Sequence, residues 1–561
     1  MASSKMCFRL RFLSLCLVCV LPGGSILHAQ IENVPISNQV YEFLDRMAVK
    51  GVLPLYSNTM IPISREEVAG LLKHIDANKD RLTTAEQEYL AKFNQEFMRE
   101  IDPSSENASV LFRDGLSGLF SDKEKYLYAY ADSTVTTYIE FLGSLEHRRI
   151  SGDSFGSTHA SFEQHGGRIR GTIKNRLGYF LQATNGTLYG DREFALSDPR
   201  LRSNVKFNDL NSPYFDYTEA YLRADLNWFN FEFGREYSQV GTGYADRLLL
   251  GDNAPAFDFI KLDAHYKSVR FLFMHASILQ DESPGTELIQ QEPVNSNKYF
   301  TLHRVQVSLF DMINFGASEM TVYQRYSPEF AYLNPIIFYK SVEHSLRDRD
   351  NSFLSFDLEF FPIANYKLYG TWLIDDIDFS KLGTGWWGNE FGWQGGVYTT
   401  DVAGFSNLDA LIEYVRLEPY VYSNRVSGND YTHSGVSLGS RLQPNSDEWT
   451  IQLSYRPMKS LRTWLSYSGS RHGENVWDVT GLSMRNVGGD VLQGHRSIDS
   501  DVATFLDGNL VKSHTFQARA ILEPVTNFFV SGIYEYRTSD QVAAGTSTRD
   551  GYAALRVWIE Y

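Results

Sequence analysis

Residues 550–561 read DGYAALRVWIEY. Ala553, Leu555, Val557, Ile559 and Tyr561 take every second position, with Arg556 and Glu560 among the residues between them. Side chains along a strand alternate between faces, so one face of this segment is apolar and the other polar. A soluble sandwich can contain such a strand. A last strand that stops on an aromatic, with no polar tail, is the form expected of an outer-membrane barrel. There the apolar face meets lipid and the charged face meets a wet lumen. Leu555, Val557, Ile559 and Tyr561 are therefore expected to form a membrane-inserted terminal strand.

The same alternation recurs upstream. Trp449, Ile451, Leu453 and Tyr455 alternate with Thr450, Gln452, Ser454 and Arg456; Leu354, Phe356, Leu358 and Phe360 alternate with Ser355, Asp357 and Glu359. Ala220, Leu222, Ala224 and Leu226 alternate with Glu219, Tyr221, Arg223 and Asp225; Phe516, Ala518, Ala520 and Leu522 alternate with Gln517 and Arg519. The polar sets, with Arg235 and Glu535, are expected to line the lumen. A sandwich core has no use for such charges, because burying them unpaired is costly. Tight connections are expected near 227–230, 266–268, 310–314, 362–366, 456–461 and 523–527. Long ones are expected near 186–213, 238–256, 279–297, 327–352, 424–447 and 471–513. Barrels of this kind place short turns in the periplasm and long loops outside. Alternating the two sizes over residues 126–561 predicts an all-β transmembrane fold, an antiparallel outer-membrane β-barrel of about 18 strands. Sixteen stays open, because the pattern is weakest in the first four strands and in 390–418.

Composition agrees. The chain is 14% aromatic and 43% hydrophobic with a mean hydropathy of -0.30. No segment after the first 29 residues has the roughly 18 consecutive apolar residues of a spanning helix. Residues 1–29 read as an export signal: Lys5, Arg9 and Arg11, then the apolar run Phe12–Leu21, then Leu27-His28-Ala29 before a cut at Gln30. Cys7, Cys16 and Cys19 all lie there, so the processed chain is expected to hold no cysteine, disulfide or thiolate metal site. The formal charge of -16 becomes -19 without the leader's three cations. That argues against a nucleic-acid partner and gives no support to an anion-selective pore.

Residues 30–101 carry helix patterns instead. Val40, Phe43, Leu44 and Met47 precede the stop Gly51; Ser64 with Glu67 and Thr83 with Glu86 form capping boxes ahead of apolar runs. These predict a small periplasmic helical bundle, followed by a linker over 102–125 and the barrel over 126–561. Asp76-Ala77-Asn78-Lys79-Asp80 has the first ligand spacing of a calcium loop. Arg81 replaces the turn glycine and Gln87 the bidentate Glu, so the stretch reads as a connector.

No hydrolase, zincin, P-loop or dinucleotide motif is present. Neither a cofactor nor a metal is expected. Asp375-Asp376 invites an acid/base reading, but neighbours on a strand point to opposite faces. Sugar binding has more behind it, since it wants flat aromatic faces for stacking with Asp, Asn and Arg beside them for hydroxyls. Two segments offer that mixture. One holds Asp375, Asp376, Asp378, Trp386, Trp387, Asn389 and Trp393; the other holds Tyr326, Tyr332, Asn334, Tyr339, Glu343, Arg347 and Asp350. An aromatic interface girdle with solvated loop charges would account for the same residues singly.

Several segments together carry a family resemblance. They are VPISNQVYEFLDRMAVKGVLP (34–54) with PISREEVAGLL (62–72), FGREYSQVGTG (233–243), YLNPIIFYKSVEH (332–344) with YGTWLIDD (369–376), and the barrel end. In that order the chain resembles the Wzi family of capsule-assembly outer-membrane proteins. The resemblance implies an eighteen-stranded barrel with a periplasmic helical bundle, acting without a cofactor as a surface lectin. Its partners would be capsular or related exopolysaccharide, outer-membrane lipids and the barrel-assembly machinery. PISREEVAG also resembles one S-layer-homology repeat, which keeps a wall-anchored diffusion porin as the alternative. An outer-membrane hydrolase is a third reading. In the lectin reading the opposite charges of the lumen form a salt-bridged plug; in the porin reading they line an open channel.

Overall fold

Alternating segments joined by short polar turns favour hairpins, and a chain of hairpins leaves two edges that must meet or be covered. Here they meet. The computed structural model describes residues 30–561 apart from 103, 105–107, 199–200, 202–211, 281–296, 348, 427 and 479–483. Among the described residues, eighteen long antiparallel strands run from Thr136–Gly152 to Thr546–Glu560 and close on themselves. The last strand pairs with the first from Asp550 opposite Gly152 to Glu560 opposite Leu142, and Tyr561 N–H donates to the Phe141 carbonyl at 2.8 Å. Closure satisfies every ladder, which hydrocarbon demands because no water reaches an open edge. The short segment Tyr128–Ala131 pairs with the foot of the first strand. The expected leader lies outside the described residues. No described helix is long and apolar enough to cross a membrane; the strands do so.

The turns fall where alternation put them. Asn227, Lys267, Phe310, Asp311, Asn365 and Asn527, all in the periplasmic turns, have positive φ. Two outer connections, 153–155 and 542–545, are short as well, so the expected rule of long outer loops fails there. Leu555 is exposed on the outer face, whereas Tyr561 is buried and does not face lipid.

The helices are amphipathic, as the spacing of their apolar residues requires. They are α1 (Val40–Val49), α2 (Arg65–Asp76) and α3 (Thr84–Glu96). Thr83 and Glu86 complete a reciprocal capping box on α3; Ser64 accepts from Glu67 N–H, but Glu67 turns to Arg270 instead of closing its box. Residues 76–80 run from the end of α2 into a 3-10 turn, Lys79–Arg81. Within the region expected as a linker, Ala108–Val110 pairs in parallel with Glu124–Tyr126.

The bundle is fastened to the barrel interior rather than hanging beneath it. Glu32 meets Arg170 at 2.9 Å, Asp45 meets Lys367 at 3.1 Å, Glu42 meets Arg462 at 3.1 Å and Lys92 meets Glu523. Arg46 is buried among Asp409 (2.5 Å), Asp401 (2.6 Å) and Glu86 (3.0 Å). Met60–Ile61 even adds two residues of sheet to Gln239–Val240. Removing one partner of such a buried pair strands the other charge in low dielectric, so these contacts define one seating of the bundle.

Candidate functional site

Above the bundle, two long connections fold back into the lumen. Leu248, Leu249 and Leu250 from one, and Val421, Tyr422, Tyr431 and Leu438 from the other, bury against Met274, Phe300, Leu302, Met320, Val322 and Phe353 of the wall. Tyr422 Oη donates to the Leu248 carbonyl at 2.6 Å, and Tyr431 Oη to that of Leu249. The inner face is therefore not polar throughout, as the strands quoted from the sequence would suggest. On strand Asn297–Leu309 the inward residues change from Gln306 and Arg304 to Leu302 and Phe300 towards the outer end. Alternation alone is blind to that change, because the loops supply the missing apolar partner. The leucine triplet at 248–250 was the available signal.

The lumen charges are arranged as follows. Asp357 pairs with Arg304, and Glu359 with Lys367 at 2.6 Å. Arg223 donates to Asn33 at 2.8 Å and Glu232 at 3.3 Å. Glu535 accepts from Gln517 (3.1 Å) and Arg537 (2.8 Å), while Arg519 lies over the Trp464 ring. Glu219 shares the inward parity of Tyr221 and Arg223. Two expectations are corrected. Asp225 accepts from Asn227 N–H and shapes a turn; Arg235 pairs with Asp258 (2.7 Å) on the outer face, opposite Ala220.

At the outer rim the chain builds a cleft of about 550 Å³, its solvent-filled mouth included. Strand Tyr366–Asp376 carries a bulge between Ile374 and Asp376 opposite Glu390. A bulge puts an extra residue on one strand and re-aims its side chains. Asp375 is buried, accepting from Tyr422 N–H at 2.6 Å and hydrogen-bonding the Glu390 carboxyl, while Asp376 is exposed. Trp387 enters from the next loop, with its ring parallel to His495 at 3.8 Å. The third wall is the helix Tyr339–Ser345, whose Lys340 and Glu343 pair at 3.0 Å. Asp350, Asn424 and Arg425 also line it, with Asn351, Ser352 and Ser423 between them. Five carboxylates thus face Lys340, Arg425 and one imidazole.

Of the expected sugar contacts, Asp375, Asp376, Trp387, Glu343 and Asp350 come together in this cleft from segments far apart in sequence. Others do not join them. Tyr332 and Tyr339 are fully buried, donating to Asp350 and touching Thr301, and are out of a glycan's reach. Trp393 stacks on Trp372 at 5.3 Å on the outer wall, as a girdle residue does. Asn389 accepts from Asp378 N–H and holds its loop; Asn334 is an exposed turn residue accepting from Ile336 N–H. Trp386 stands 5.5 Å from Trp387, under the Lys381 ammonium. Glu390, Asn424, Arg425 and His495 were missed, since nothing local marks a residue whose neighbours arrive from another loop.

The family model for the capsule assembly protein Wzi matches residues 144–551. Among solved structures, the chain is similar to Wzi of Escherichia coli, described as a carbohydrate-binding β-barrel involved in group 1 capsule assembly. Identity is 14%, over 95% of this chain and 99% of that one, with a TM-score of 0.56. The Pseudomonas aeruginosa protein OpdK, solved with vanillate, is 8% identical over 75% of this chain and 99% of its own, at a TM-score of 0.43. Comparison with curated protein sequences finds no match. With its closed eighteen-stranded wall and a family match over most of that wall, the chain belongs to the Wzi family of capsule assembly proteins.

Proposed function

We propose that this outer-membrane barrel holds capsular or related exopolysaccharide at the cell surface, without chemistry, and that the rim cleft is where it does so. The observation that carries the reading is the meeting of an aromatic face, Trp387, with exposed and buried carboxylates at the outer mouth. Sugars are bound by stacking on such faces and by hydrogen bonds from their hydroxyls to carboxylates and amides. The excess of carboxylates over cations favours a neutral or amino-sugar stretch over a uronate-rich one, since like charges repel across a partly desolvated site. Asp375 is tied to Tyr422 and Glu390 while Asp376 faces out, so the two do not converge on one substrate as an acid/base pair. In this reading residues 1–29 direct export, residues 30–101 plug the barrel, and the wall anchors the cleft among outer-membrane lipids after delivery by the barrel-assembly machinery. Membership of the family and the carbohydrate binding of the Escherichia coli relative support the same assignment.

The test is polymer retention. Cells carrying Trp387→Ala with Asp376→Asn are expected to release surface polysaccharide into the medium while total polymer stays constant. Unchanged retention with normal barrel levels would move the site elsewhere, and a fall in total polymer would point to export or synthesis.

A further inference from the structure

The connection between strands Ile313–Arg325 and Asn351–Ile363 does not rise into solvent. It folds down the outside of the wall. Thr301, His303 and Glu319 have the outward parity of Val305 and Phe315, yet all are covered. Thr301 and Glu319 are buried, and His303 sits against the Tyr339 ring at 4.4 Å. The Glu319 carboxylate accepts from the backbone N–H groups of Tyr339 and Lys340 at 2.8 and 2.7 Å. Thr301 Oγ1 bonds the Tyr332 carbonyl, and Tyr323 Oη accepts from Glu329 N–H at 3.1 Å. The described residues of 326–350 thus form a flange sealed over a polar patch on the barrel's exterior.

Its height follows from the ladder. Glu319 is six residues beyond Ile313, which begins its strand after the periplasmic turn. At about 3.3 Å per residue and a tilt of about 40°, that is about 15 Å above the turn, inside an apolar band about 25 Å tall. Below the flange the wall is bare and apolar, with Val305, Leu309, Phe315 and Leu358 exposed. The flange carries exposed apolar side chains of its own: Phe330 is 86% exposed, Ile336 84% and Tyr326 81%, and Phe338 of the same segment is exposed as well. Large apolar side chains clustered on an outer surface mark a contact. Here the surface adjoins the barrel's lipid belt, and the groups beneath it are polar ones that hydrocarbon would not accept.

We propose that this flange is seated in the outer leaflet, with Phe330, Ile336 and Phe338 packed against lipid acyl chains. The same segment supplies Lys340 and Glu343 to the rim cleft. One wall of that cleft is therefore held at the membrane surface.

The test uses the full chain with Cys7, Cys16 and Cys19 changed to serine and one new cysteine, Ile336→Cys, carrying an environment-sensitive fluorophore. The protein is reconstituted in phosphatidylethanolamine–phosphatidylglycerol vesicles with nitroxide-labelled acyl chains. Leu465→Cys, on the lipid-facing wall, and Leu492→Cys, on an outer loop, serve as references. The label at 336 is expected to match that at 465, with blue-shifted emission, loss of intensity to acyl-chain nitroxide and protection from aqueous iodide. Iodide quenching equal to that at 492 would overturn the proposal. So would energy transfer between labels at 336 that grows with protein-to-lipid ratio as nitroxide quenching disappears, since a second copy would then be the occupant. If Ile336→Cys loses heat-modifiable migration, Tyr326→Cys carries the same measurement.

Discussion

Arg46 offers the sharpest test of how the plug is held. Its guanidinium joins Glu86 of the bundle to Asp401 and Asp409 of the barrel, with side-chain exposure of 2%. Arg46→Met keeps the bulk and removes the charge. Breaking a buried pair by deleting one partner costs about 3–5 kcal/mol. Each stranded carboxylate here retains a second partner: Lys50 at 2.7 Å for Glu86 and 2.9 Å for Asp401, and Arg456 at 2.6 Å for Asp409. The lower end, about 3 kcal/mol, is therefore expected, which is roughly a hundredfold in the population of the unseated plug. Hydrogen exchange of the α1 amides in detergent should accelerate by about that factor while the strand amides stay protected. In planar bilayers the parent chain should be silent and the variant should show brief openings. Arg46→Met combined with Asp409→Asn should cost less than the sum of the two single changes, because both remove the same Arg46–Asp409 contact. If α1 exchange is unchanged in Arg46→Met, the plug is held by packing and the ionic latch contributes nothing.

Two further outcomes follow from the wall and the inner loops. Leu555→Arg places a cation on the lipid face of the closing strand and should cost about 2–4 kcal/mol near the bilayer midplane, read as a lower unfolding midpoint and less assembled protein. His433 is buried in an inward-folded outer connection, where Nδ1 accepts from Leu279 N–H at 2.9 Å, and burial pushes its pKa down to about 4. With the unfolded value near 6.5, its stabilisation is fully present above that pH. It is lost as pH falls from about 6.5 to about 4, up to about 3 kcal/mol. Protease nicking of 418–445 should rise in that window for the parent chain and not for His433→Phe.

The barrel was legible because lipid on one side and water on the other impose a period of two that no internal packing can hide. Leu354 to Phe360 and Trp449 to Tyr455 show it at once. The helices were legible for a related reason, since the Thr83–Glu86 box is satisfied within four residues. What the alternation could not show was the filling of the lumen. Phe300 and Leu302 look like errors on a polar face until Leu248–Leu250 arrive from another loop. The site divided along the same line. Trp387 and Asp376 were found by local chemistry, whereas His495, more than a hundred residues from Trp387 in sequence, became a neighbour only through the fold.

The way the plug is latched also sets the order in which the protein can be made. Lys92 waits for Glu523, 431 positions further along the chain, and Arg46 waits for Asp409. Contacts at such separations form late, because a long loop must close before they stabilise anything. The segment that emerges first is thus the last to reach its final place. Phe43, Leu44 and Phe93 bury against one another inside the bundle, so its own core does not wait for the wall; what waits is the set of ion pairs that ties it there.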